Sequence, residues 1–307
     1  MIGDLFLRLG IIYALILIGV ILKRSTELAK VLTKAISIFL IYFSLPVVIF
    51  TSIAQFSEAF SDLRILIFSA SIFFISSIVA YILFRILKER GTDSAPFVLT
   101  SINPNGFYLP FPIVYALYDM KGLTYSSVYL LTANIINASY IYPLYSYYSN
   151  SDKRKSVALT RKILLFPPFL ASILGFVFLG LGLPFPEQLT QPISYFGQFT
   201  TYVALLFVGL STGILREGWF SKSTLGVVSI RLVMVPLMLF GLMKFLGLRE
   251  IWSQVIIIHS GMPPAVNNII LADHFNLDRK RVAAIVTEAT ALSLLTLPLL
   301  LYLVNNL

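Results

Sequence analysis

The chain has 307 residues, 58% of them hydrophobic and 12% charged, with mean hydropathy +0.88 and net charge +9. A soluble domain averages about 25% charged residues, so this composition argues against a water-soluble globule. The absence of cysteine excludes disulfides, thiolate metal sites and a cysteine nucleophile.

At about 20 residues per spanning helix the length holds roughly ten spans and no large soluble domain. Apolar runs place them at 4–22, 31–54, 63–87, 96–118, 123–148, 162–182, 189–215, 223–246, 251–272 and 281–304. Pro46 is expected to kink the second. The longest connection, 149–162, carries Lys153-Arg154-Lys155 and Arg161-Lys162 and divides the chain into two sets of five, 1–150 and 151–307. Seventeen Lys and Arg lie at span ends or in loops on the side of that connection, five on the other side, and only Arg231 is left, buried within a span. The imbalance predicts a cytoplasmic central loop and both termini outside a cell membrane. It also speaks for lipid rather than nucleic acid as the basic chain's partner.

The fourth span is interrupted. Ser101-Ile-Asn-Pro-Asn-Gly-Phe-Tyr-Leu-Pro-Phe-Pro112 has three prolines, a glycine and two asparagines inside apolar sequence. A continuous helix cannot use such a run well, and in hydrocarbon it is tolerated only where protein or a watery cavity satisfies the freed backbone. The ninth span breaks in the corresponding place, at His259-Ser-Gly-Met-Pro-Pro-Ala-Val-Asn-Asn268. Paired breaks in two halves of opposite topology point to an inverted-repeat transporter with its site at the breaks. A weak echo agrees: Thr33-Lys-Ala-Ile-Ser-Ile-Phe39 and Thr190-Gln-Pro-Ile-Ser-Tyr-Phe196 share four of seven positions. The predicted fold is therefore an all-α integral membrane protein of ten helices in two inverted repeats, with helices four and nine broken.

Several residues could carry the chemistry. Asn103, Asn105, Gly106, Pro110 and Pro112 mark the first break, and His259, Ser260, Gly261, Pro263, Asn267 and Asn268 the second. Amides beside unwound backbone, with half-helix ends favouring an anion at N-termini and a cation at C-termini, would hold a substrate. The structural alternative is a proline kink repaired by asparagines. His259 could donate to a carboxylate or relay a proton, or could be a neutral packing residue. Arg231 and Glu288 lie about 13 Å and about 10 Å inside the cytoplasmic edge. They are expected either to form a structural ion pair or to couple transport to H+ or Na+. Asn134 and Asn137, one turn apart in the fifth span, share a face that either meets the first break or joins helices. Five tyrosines in Tyr140–Tyr148 read as an interfacial belt rather than a site. A phosphate-binding glycine loop, a zinc-type His/Glu cluster and a Gly-x-Ser-x-Gly elbow are all absent, so neither an ATP-driven pump nor a hydrolase has support. The chain is read as a non-enzyme without a cofactor.

At these residues the sequence resembles the auxin efflux carrier family, which includes PIN-type carriers and malate/malonate-type permeases. Asn105-Gly-Phe-Tyr-Leu-Pro-Phe-Pro112 matches the ends of the family's Asn-Thr-x-x-x-Gly-x-Pro, with Gly106 at the Thr position and Pro110 at the Gly position. Met262-Pro-Pro-Ala-Val-Asn267 with Ala272, and Ser293-Leu-Leu-Thr-Leu-Pro298 in the last span, match more closely. The resemblance implies a fold like that of bile acid sodium symporters. Spans one, two, six and seven would form a scaffold, and three to five with eight to ten a transport domain. Asn105, Pro112, Pro263 and Asn267 would lie at a crossover, with Asn134 and Asn137 lining the pocket. It implies a secondary carrier for a small organic anion, a carboxylate by class, working by alternating access. Small residues on the scaffold spans permit a homodimer. Two other readings are a proton- or sodium-coupled symporter of a neutral or zwitterionic solute using Glu288, and a membrane sensor that binds without translocating.

Overall fold

The computed structural model describes residues 2–23, 26–55, 62–87, 94–149, 153–211 and 221–307. It is all-helical: among the described residues no strand forms, and a single isolated bridge pairs Pro104 with Pro264. In chain order the helices are α1 (Ile2–Leu22), α2 (26–55), α3 (Leu63–Leu87), α4 (Ser94–Ile102), α5 (110–118), α6 (120–148), α7 (Lys153–Leu164), α8 (Pro167–Gly180), α9 (Thr190–Ser211), α10 (222–245), α11 (Ile251–Ser260), α12 (Asn267–His274) and α13 (Arg279–Asn305). Among the described residues five segments are long and apolar enough to cross a membrane, 29–55, 63–86, 187–211, 222–245 and 279–305, with shorter apolar helices at 10–22, 167–180 and 251–260.

Proline placement shapes three of these helices. Each of α2, α6 and α10 contains a π turn, at Leu40–Ser44, Asn137–Ile141 and Ser229–Met234. The closing N–H groups of Leu45, Tyr142 and Val235 donate to the carbonyls of Leu40, Asn137 and Ile230. In all three the next residue is proline: Pro46, Pro143 and Pro236. Proline supplies no N–H and crowds the carbonyl four residues back, and widening the preceding turn relieves that crowding. The kink expected at Pro46 is thus a π turn.

The interrupted spans appear as separate half-helices. The fourth consists of α4 and α5 around residues 103–109, and the ninth of α11 and α12 around 261–266. Asp119 (φ 51°, ψ −147°) then parts α5 from α6. The sixth span differs from expectation. It starts at Pro167 rather than 162, because Phe166 before Pro167-Pro168 is extended (ψ 121°) and proline suits the first helical turn. The basic residues of the central connection form their own helix, α7.

Two compact units are distinguished. The first comprises residues 1–65, 107–131 and 165–212. Its core gathers Leu45, Val48, Ile49, Ile53, Phe111, Leu123, Ala204 and Phe207. Within it α1 and α9 meet backbone to backbone at Gly19 and Gly209. A Cβ on Gly19 would stand 2.9 Å from the Gly209 Cα, and one on Gly209 would fall on the Ile16 carbonyl oxygen. Buried hydroxyls tie the same unit: Thr124 Oγ1 donates to Ser52 O at 2.7 Å, and Ser44 bonds Thr200.

The second unit comprises residues 66–106, 132–164 and 213–307, and it holds the crossing segments of both breaks. Two of its helices start on side-chain caps. Ser221 Oγ accepts from Thr224 N ahead of α10, and Asp278 Oδ1 accepts from Arg281 N ahead of α13.

Candidate functional site

The site in the second unit begins with backbone left over when α4 and α11 stop. Pro104, Pro263 and Pro264 cannot donate, so the carbonyls around them need partners from elsewhere. They find them in each other. Asn105 N donates to Pro263 O at 2.7 Å, and Ala265 N donates to Asn103 O at 3.0 Å. The two segments run antiparallel about Pro104 and Pro264, with bonds related by a local two-fold. Asn103 and Asn105 are buried, 4% and 5% exposed.

Asn268 fastens this crossing. Its Nδ2 donates to Asn103 O at 3.0 Å, while its Oδ1 accepts from Asn103 Nδ2 at 2.8 Å and from Tyr145 OH at 2.9 Å. Asn268 and Tyr145 are both fully buried. The tyrosine run is therefore not only an interfacial belt. Tyr147 is exposed, but Tyr145 turns inward, donates to the crossing and packs its ring 5.6 Å from that of Phe275. Tyr142, three residues earlier on the same face, is buried too. That inward i, i+3 pair was the available signal. Tyr145→Phe is expected to cost about 1 kcal/mol, the net worth of one buried hydrogen bond, seen as a lower melting midpoint in detergent with transport reduced but present.

No described ion pair joins Arg231 to Glu288. Arg231 is fully buried in the π turn of α10, and its Nη2 donates to Ser260 O at 2.9 Å and its Nε to Met262 O at 3.2 Å. Its Nη1 donates to Ser76 Oγ at 2.8 Å. Equal depth along two helices, which suggested the ion pair, says nothing of the direction each side chain takes. Both carbonyls lie at the C-terminal end of α11, where the helix dipole favours a cation. Glu288 in α13 is 8% exposed, and its Oε2 is a buried atom with no hydrogen-bond partner.

His259 and Ser260 end α11 fully buried, and Ser260 Oγ returns a bond to Ile257 O at 2.6 Å. Gly261 follows, with Leu300 of α13 so close that a Cβ there would meet its Cδ2 at 2.5 Å. Pro263 is buried in the crossing, and Gly106 half-buried beside it. Asn267 is exposed at the first residue of α12, so the bonds at this end of the helix belong to its neighbour Asn268. Asn134 and Asn137 lie in the second unit, where Asn134 Nδ2 and Asn137 Oδ1 are buried and lack a partner. No described hydrogen bond joins either to the breaks. Pro110 and Pro112 are buried in the first unit at the start of α5. Among the described residues no group of three or more His, Cys, Asp or Glu is placed to hold a metal.

Comparison with known proteins bears on this arrangement. An uncharacterized transporter of Methanocaldococcus jannaschii is 24% identical over 305 residues, covering 94% of this chain and 95% of that protein. The uncharacterized transporter YfdV of Escherichia coli K12 is 23% identical over 307 residues, covering 95% of each. A Rhizobium meliloti protein named "Putative malonate transporter" is 23% identical over 152 residues, covering 49% of this chain and 48% of that protein. The family described as membrane transport protein matches residues 5–301. With crossed half-helices, spans of membrane length and a match along almost its whole length, the chain is a multi-pass membrane protein belonging to this membrane transport family, the auxin efflux carrier family that its motifs resemble.

Proposed function

We propose that this transporter is a secondary carrier for a small organic anion, a carboxylate by class, working by alternating access in the cytoplasmic membrane. The observation that carries the reading is the crossing of the two breaks through Pro104 and Pro264. Discontinuous helices are tolerated in hydrocarbon where they frame a site. α12 begins at the crossing, and its N-terminal dipole with exposed Asn267 favours a carboxylate. Asn134 Nδ2 offers a carboxylate a hydrogen-bond donor that the protein leaves unused, whereas Asn137 Oδ1 accepts only from a hydroxyl or protonated carboxyl. The relative named for malonate fits the same substrate class.

In this proposal Asn105, Gly106, Pro263, Asn267, Asn134 and Asn137 meet the substrate. Asn103, His259, Ser260 and Gly261 hold the backbone that presents them, and Pro110 and Pro112 start α5 on the far side of the first break. Spans one, two, six and seven serve as scaffold, the remaining six as transport domain, and the central loop faces the cytoplasm. A second reading, coupling to protons through Glu288, is favoured by its buried Oε2 without a hydrogen-bond partner.

The test is uptake of labelled mono- and dicarboxylates into proteoliposomes, with and without a pH gradient, for wild type and Glu288→Gln. Carboxylate flux is expected in wild type. Acceleration by a pH gradient that vanishes in Glu288→Gln makes Glu288 a coupling group, and equal gradient-indifferent flux in both makes it structural. Folded protein that moves no carboxylate sinks the substrate class.

A further inference from the structure

We infer that the Arg231 guanidinium is a tethered cation occupying the carbonyl cradle that a mobile alkali ion would otherwise take at the second break. The cradle consists of Ser260 O and Met262 O, on either side of Gly261 where α11 unwinds, together with Ser76 Oγ of α3. Two backbone carbonyls and a hydroxyl at the negative end of a half-helix are hard oxygen donors of the kind that hold Na+ or K+ in broken-helix transporters. All three residues are buried: Ser260 and Ser76 have no exposed surface and Met262 1%. Water therefore cannot satisfy these oxygens if the charge leaves.

The side chain is delivered by a deliberate backbone feature. Pro236 widens the turn Ser229–Met234, and Arg231 sits within it. Its three donor nitrogens reach three different oxygens at 2.8 to 3.2 Å. A planar guanidinium is weakly hydrated and carries its donors in a fixed fork, so it fills such a cradle permanently where a hydrated ion would come and go. These three bonds set the charge of Arg231 at the end of α11, and the carrier runs without an alkali cation at this position.

Thermal unfolding in detergent, at equal ionic strength in choline, sodium or potassium chloride, tests this without any assumption about substrate. The wild-type midpoint is expected to be the same in all three salts. Arg231→Gln empties the cradle, so its midpoint is expected to fall in choline and to rise saturably, by about 3 °C or more, in Na+ or K+. Equal midpoints of Arg231→Gln in the three salts overturn the assignment. If that variant is not recovered folded, Arg231→Lys serves: its ammonium keeps a tethered charge, and a midpoint that separates by cation overturns the assignment. A second measurement rests on the carrier reading. Wild-type carboxylate counterflow is expected to stay within about twofold across the salts, and a tenfold stimulation by Na+ or K+ is fatal to the inference. Absence of any carboxylate flux defeats the carrier reading alone and leaves the thermal result standing.

Discussion

Asn268→Leu is expected to abolish transport and to destabilise the second unit by about 3 kcal/mol. One side chain here serves three bonds, two exchanged with Asn103 and one received from Tyr145. Leucine is close in volume and suits an apolar surrounding, so the loss is not one of packing. What remains behind is the damage: Asn103 Nδ2 and the Tyr145 hydroxyl lose their acceptor, and Asn103 O loses one of its two donors. A buried polar group without a partner costs about 1–3 kcal/mol, and neighbours in one network do not add independently. The check is paired, a melting midpoint in detergent and counterflow in proteoliposomes. The double variant Asn268→Leu/Tyr145→Phe should lose less than the sum of the single variants. Additive losses would show that the three side chains do not act as a network.

Gly209→Val is expected to prevent recovery of folded protein. The Cβ would press far inside van der Waals contact of the Ile16 carbonyl oxygen, a backbone atom that no rotamer change can move aside. Overpacking of side chains alone costs about 1–3 kcal/mol. Here α1 and α9 must separate along the crossing where Gly19 and Gly209 let their backbones touch. Size-exclusion profiles of a fluorescent fusion would read the outcome. A monodisperse peak at wild-type yield would show that the crossing yields easily. Gly241→Val is the control, since nothing lies within 4 Å of a Cβ there.

Much of this was legible because the solvent is lipid. A run of about 20 apolar residues has few alternatives to a spanning helix, and prolines within it must cost backbone bonds. Both breaks could therefore be located to within a few residues, 103–109 and 261–266. What the sequence could not show was where each orphaned group finds its partner. Asn267 and Asn268 are chemically the same, and helical phase alone decides which is buried. Arg231 and Glu288 were matched in depth, yet side-chain direction sends the arginine to carbonyls. Tyr145 was hidden in a run whose composition suits the membrane interface. The central connection holds a helix because Lys153–Leu164 can form one turn after turn before Pro167 stops it, whereas charge counting sees only a basic loop.

The three proline-bound π turns carry a consequence for reading one protein of this kind against another. A π turn houses one residue more than α geometry would, and each residue is worth about 100° of rotation around the axis. Side chains beyond Ser44, Ile141 and Met234 therefore point about 100° away from where an unbroken α phase, counted from the helix start, would aim them. A relative with an alanine at the position of Pro236 has no need of the wide turn. Matched to this chain without a gap, it would have every residue from 235 onward assigned to the wrong face. Alignments in these three helices should place their gaps at the π turns, one residue wide, before any residue's role is carried across.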